Sequence, residues 1–132
     1  MRKADIDAIR RGNGFRLAVF GSRTLTGEAV ASTIFNHIKK SNAGIIVTAA
    51  KPTGVCEVAR QVAAAVGIPL RLHFLDNAKY AAGKYEARSL EVLLHCDHCL
   101  FIHDGKSSGT AGELKLAIKY GVPHTYITME DE

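Results

Sequence analysis

Five short apolar runs, each separated from the next by one helix-patterned segment, constrain this chain more than any other feature. Phe15–Phe20, Ile45–Thr48, Leu70–Leu75, Cys99–His103 and His124–Thr128 are rich in branched and aromatic side chains, which suits strands. A helix is predicted from Gly27 to about Lys40, with Thr26 placed to cap it and Val30, Ile34 and Ile38 on its inner face. A second opens at Gly54 with the stripe Val55, Val58, Ala59, Val62 and Val66. A third runs from about Tyr85 to His95 on Leu90, Leu93 and Leu94, and a fourth from Ala111 to Tyr120 on Leu114, Ala117 and Ile118. Gly67-Ile68-Pro69 and Gly121-Val122-Pro123 stop two of them and release the strands that follow. Strands that alternate with helices across short connections form a parallel sheet covered on both faces. The fold class is therefore α/β: a three-layer, Rossmann-like fold with a five-stranded parallel sheet in the order 3-2-1-4-5.

At 132 residues the chain makes one such domain, residues 15–132. Residues 1–14 read as an N-terminal appendage: a short helix over 2–11 with Ile6 and Ile9 inward, ended by Gly12-Asn13-Gly14. The formal charge of +4 suits an anionic ligand, but Lys and Arg are spread along the chain and form no block. That spread, with no aromatic platform for bases, argues against nucleic acid. The longest apolar run is far short of a membrane span, which argues against a membrane partner. The charged start Met1-Arg2-Lys3 has no apolar core of a signal peptide, so a cytoplasmic protein is predicted. Three cysteines in such a chain do not form a disulfide framework.

In this strand order, the crossovers after strands one and four leave in opposite directions, and ligands sit at that switch point beyond the strand ends. The loops that meet there are Gly21–Thr24 and Asp104–Thr110, the two richest in Gly, Ser and Thr. The second, Asp104-Gly105-Lys106-Ser107-Ser108-Gly109, opens into a helix at Thr110. A helix N-terminus offers unpaired N–H groups and a positive dipole end, which together bind phosphate. Thr110-x-x-Glu113 also reads as a capping box, which needs no ligand. Candidate ligand- and phosphate-binding residues are Gly21, Ser22, Arg23, Gly54, Gly105, Lys106, Ser107, Ser108, Gly109 and Thr110.

Neither a dinucleotide fingerprint nor a Walker motif is present, so no cofactor is assigned. Glu57 suits the first turn of its helix, whereas Arg88, early in the next one, opposes the dipole and calls for Glu91, Glu113 or a ligand phosphate. His95-Cys96-Asp97-His98-Cys99 contains a CxxC, but a structural zinc site needs a second ligand pair and a redox CxxC opens a helix, so no metal is assigned. Cys99 reads instead as a small buried hydrophobe, and His103 as a candidate ligand contact beside the loop.

Asp104–Thr110, preceded by Asp97 and an apolar strand and followed by Leu116–Pro123, resembles the YspA-like branch of the SLOG superfamily. That superfamily groups Rossmann-like proteins related to the LOG ("lysine decarboxylase-like") phosphoribohydrolases and to DprA/Smf. Phe20-Gly21-Ser22-Arg23 matches the opening of the branch, and Tyr80–Gly83 with Arg88 its later loop and Arg-bearing helix. The resemblance implies binding or sensing of a nucleotide or nucleotide-derived phosphorylated ligand, and self-association into a homo-oligomer. It implies as an alternative a phosphoribohydrolase of nucleoside 5'-monophosphates, with Arg88 and Glu113 catalytic. A second alternative is DprA-like binding of single-stranded nucleic acid. Lys106 and Ser107 replace the two leading glycines of the LOG motif, Ser89 stands where that pattern has Lys, Ala49-Ala50 replaces a Gly-Gly, and Cys56 takes an expected acidic position.

Overall fold

The computed structural model describes residues 14–75 and 83–130. The appendage helix, the Tyr80–Gly83 match up to residue 82, and the last two residues lie outside them. Five parallel strands are ordered β3-β2-β1-β4-β5. They are β1 (Phe15–Gly21), β2 (Ala43–Ala49), β3 (Leu70–His73), β4 (His98–His103) and β5 (His124–Thr128). The described helices are α1 (Glu28–Ser41), α2 (Val55–Val66), α3 (Lys84–Leu94) and α4 (Ser108–Lys119). The expected order and layering are what the molecule adopts.

Strand periodicity divides the core between two faces. Leu17 and Val19 of β1 with Leu100 and Ile102 of β4 pack against α1 and α2. Ala18, Phe20, Cys99 and Phe101 point the other way, towards α3 and α4. Phe20 and Phe101 are register partners on that second face, their rings stacked with centroids 5.8 Å apart. Val30, Ile34 and Ile38 of α1 are buried as their spacing predicts. The apolar stripes end sooner than expected elsewhere: Val66, Leu94 and Ile118, each in the last turn of its helix, are exposed. No described helix is long and apolar enough to cross a membrane.

Two expected caps take a different form. The N-cap of α1 is Gly27, with no side-chain cap bond, so Thr26 does not cap it. The helix α4 begins at Ser108 with Ser107 as N-cap, one turn earlier than the Thr110 pattern implies. Thr110 is thus inside the first turn, and Glu113 is buried and bonded elsewhere. The capping box does not form: the helix starts at Ser108, and Glu113 is bonded to Lys51 and Ser89.

Candidate functional site

The ends of β1 and β4 are neighbours, with Gly21 paired to Ile102. Ser22 continues the pairing, its N–H donating to the Ile102 carbonyl at 3.1 Å. Gly21 has to lack a side chain, since a Cβ there would stand 2.4 Å from the Ile102 oxygen and from Val55 Cγ2. Ser22 is 1% exposed, and its hydroxyl accepts from the Asp104 N–H and pairs with Ser107 Oγ, each at 2.9 Å. The two loops are therefore joined side chain to side chain at the switch point.

Asp104 organises the second loop from within. Its Oδ1 accepts the N–H groups of Lys106 and Ser107, both at 2.8 Å, and its Oδ2 accepts the Thr24 hydroxyl at 2.8 Å. These backbone bonds hold its carboxyl well below the usual carboxylate range. The Lys106 and Ser107 amides are consequently taken. The amides of Ser108, Gly109 and Thr110 form the first turn of α4 and have no intrahelical acceptor. His103 Nε2 donates to the Ser107 carbonyl at 2.9 Å, which fixes the tautomer and leaves Nδ1 to accept from the Tyr126 hydroxyl at 2.6 Å. The expected ligand contact of His103 is thus a loop support.

The joined loops border a cleft of about 710 Å³. It brings together Gly21, Ser22, Arg23, Ser107, Ser108, Gly109 and Thr110 with Arg88 and Glu113. Gly105, Lys106 and Gly54 do not line it. Gly54 serves packing instead, since at φ 83° it brings the start of α2 against the first loop, where a Cβ would meet Arg23 Cα at 2.4 Å. The Val55 N–H is spent there on the Ser22 carbonyl, so the α2 N-terminus faces inward.

The cleft floor carries residues that sequence reasoning missed. Lys51, from the loop between β2 and α2, is 7% exposed, and its Nζ lies 2.9 Å from Glu113 Oε2. Its ammonium also sits 5.5 Å from the centroid of the Phe20 ring. Ser89 Oγ donates to the same Glu113 oxygen at 3.2 Å. Burial pushes the Glu113 carboxyl up, against the pull of Lys51. Burial likewise lowers the Arg88 guanidinium, whose central carbon stands 5.7 Å from the centroid of the Tyr85 ring. Two buried polar side-chain atoms lack a hydrogen-bond partner among the described residues, Arg88 Nε and Glu113 Oε1, and both residues line the cleft. Lys51 was detectable in principle, because its loop follows a strand at the same carboxyl edge.

The CxxC segment is dispersed. Asp97 pairs with Arg16 at 3.0 Å, His98 bonds Thr125 Oγ1 at 2.8 Å, and His95 bonds the Glu91 carbonyl. Cys99 is fully buried, and burial pushes the Cys96 thiol up to about 11. Among the described residues no group of three His, Cys, Asp or Glu could hold a metal ion.

No protein-family model matches the chain, and no curated protein has a significantly similar sequence.

Proposed function

We propose that this domain binds or senses a nucleotide or nucleotide-derived phosphorylated ligand at the β1/β4 switch point. The observation that carries the reading is a pair of buried atoms with no hydrogen-bond partner among the described residues, Arg88 Nε and Glu113 Oε1, on the same cleft as the first turn of α4. Leaving a buried polar atom unpaired costs about 1–3 kcal/mol. A ligand with a phosphate for the amides, an acceptor for Arg88 and a donor for Glu113 removes that deficit. The cleft volume lies within the range of small-molecule sites. Arg23 stands beside it to neutralise the phosphate.

A second reading is hydrolysis of a nucleoside 5'-monophosphate to free base and ribose 5-phosphate. It is favoured by Glu113, a buried carboxylate with one open oxygen, which would stabilise an oxocarbenium-like transition state or position water. Arg88 would then orient the phosphate.

Thermal-shift titration with nucleoside mono- and diphosphates tests the first reading, because a ligand at 100 times its Kd stabilises the folded state by about 2.7 kcal/mol. Gly109→Asp should abolish the shift without unfolding the domain, since a Cβ at Gly109 meets open space. Equal shifts in both proteins would contradict the site. Release of base, lost in Glu113→Gln, would establish the second reading over the first.

A further inference from the structure

The floor of the cleft holds a charge pair that the two glycine- and serine-rich loops do not explain. Glu113 Oε2 has two donors, the Lys51 ammonium at 2.9 Å and the Ser89 hydroxyl at 3.2 Å. Glu113 Oε1 is buried and has none among the described residues. The carboxylate is therefore saturated on one side and open on the other. Glu113 also lies one helical turn after the free amides of α4, and residues so spaced are about 5–6 Å apart. A phosphate on those amides would carry its attached sugar over Glu113.

We propose that Lys51 is a positioning residue: with Ser89 it holds one oxygen of Glu113 and presents the other to a sugar hydroxyl of the phosphorylated ligand. This rests on the ligand reading above. Arg88 Nε, the second buried atom without a partner among the described residues, donates to the oxygen of the same or the neighbouring hydroxyl. The subsite thus selects ribose over a sugar stripped of its hydroxyls. A site built to pair with a hydroxyl rejects the analogue lacking it, because its buried polar groups are left unpaired.

Lys51 also sets the protonation of its partner. The groups around Glu113 are Lys51 from the β2–α2 loop, Ser89 and Arg88 from α3, and the thiols of Cys56 on α2 and Cys99 on β4. Burial keeps both thiols protonated, so the cations supply the opposing charge, Lys51 foremost. With Lys51 gone, nothing offsets the burial of the Glu113 carboxyl as strongly, so its protonated form gains ground as pH falls. A protonated carboxyl is a poorer acceptor, so hydroxyl recognition fades at lower pH and returns as pH rises.

The test is calorimetric titration with the four ribonucleoside 5'-monophosphates and their 2',3'-dideoxy counterparts, from roughly pH 6 to 9. Wild type should bind a ribonucleotide at least about tenfold more tightly than its dideoxy counterpart. In Lys51→Met that ratio should shrink towards one at the acid end and widen with pH. Lys51→Met/Glu113→Gln removes the pair together and guards against misfolding of the single variant; its ratio should stay near one throughout. Equal binding of both sugar types by wild type would overturn the subsite while leaving the phosphate site standing. A Lys51→Met ratio that matches wild type at every pH would reduce Lys51 to a structural role. Absence of binding by all eight nucleotides would overturn the ligand reading and this inference with it.

Discussion

The hydroxyls of Ser22 and Ser107 lie 2.9 Å apart, although 85 residues separate them in the chain. Ser22 also receives the Asp104 N–H, so one buried side chain ties the end of β1 to both ends of the turn that precedes α4. That tie and the close packing at Gly21 and Gly54 together fix how the two loops of the proposed anion site meet.

Ser22→Ala should therefore leave the Asp104 amide and the Ser107 hydroxyl without their partner. The expected cost is about 1–2 kcal/mol in denaturant unfolding, with ligand-induced stabilisation reduced as well. Unchanged stability would mean that the loops are held by the backbone alone.

Two glycines with nearly the same backbone φ should respond very differently to alanine. Gly54 and Gly105 have φ of 83° and 82°, but a Cβ at Gly54 would stand 2.4 Å from Arg23 Cα, while at Gly105 it meets nothing. Gly105→Ala carries only left-handed strain, about 1–2 kcal/mol. Gly54, with ψ −150°, sits in a backbone region that essentially only glycine adopts, and Gly54→Ala also clashes with backbone, so it should cost about 2–5 kcal/mol in all. Thermal unfolding of the two variants measures that difference.

Much of this was legible in the sequence because it is local or periodic. The helix stripe Val30, Ile34, Ile38 and the strand His124–Thr128 follow from spacing and from the Gly-x-Pro stop before β5. The meeting of the Gly21–Thr24 and Asp104–Thr110 loops follows from topology, which only the strand order is needed to deduce. What was not legible depends on long side chains reaching between elements. The strand order puts the Lys51 loop at the same carboxyl edge, but nothing in the sequence reveals that its ammonium crosses to α4. Thr110 and Glu113 have the spacing of a capping box, yet Glu113 answers to Lys51 and Ser89, which are 62 and 24 residues away. Gly54 reads as a phosphate contact because it opens a helix, whereas its need is close packing against Arg23.

Acid should weaken the loop in a defined direction. Asp104 and Asp97 both have carboxyls held below their ordinary values, Asp104 by the Ser107 and Lys106 amides and Asp97 by Arg16. A depressed carboxyl contributes stability that is present above the unfolded-state value and is lost as pH falls through the folded-state value. Stability of the wild type should thus decline below about pH 4, where unfolded carboxylates titrate. In Asp104→Asn the decline should be shallower, because the amide oxygen still accepts from the loop but no longer titrates. A steeper decline in that variant would refute the assignment.

The central claim is that an anion sits on the first turn of α4, between the two joined loops. Backbone ¹⁵N–¹H shift mapping during titration with ribose 5-phosphate examines it at the atoms concerned. The largest shifts should fall on Ser108, Gly109 and Thr110, with Ser22 and Arg23 next, and all should vanish in Gly109→Asp. Shifts concentrated away from these residues, or none at saturating ligand, would contradict the account.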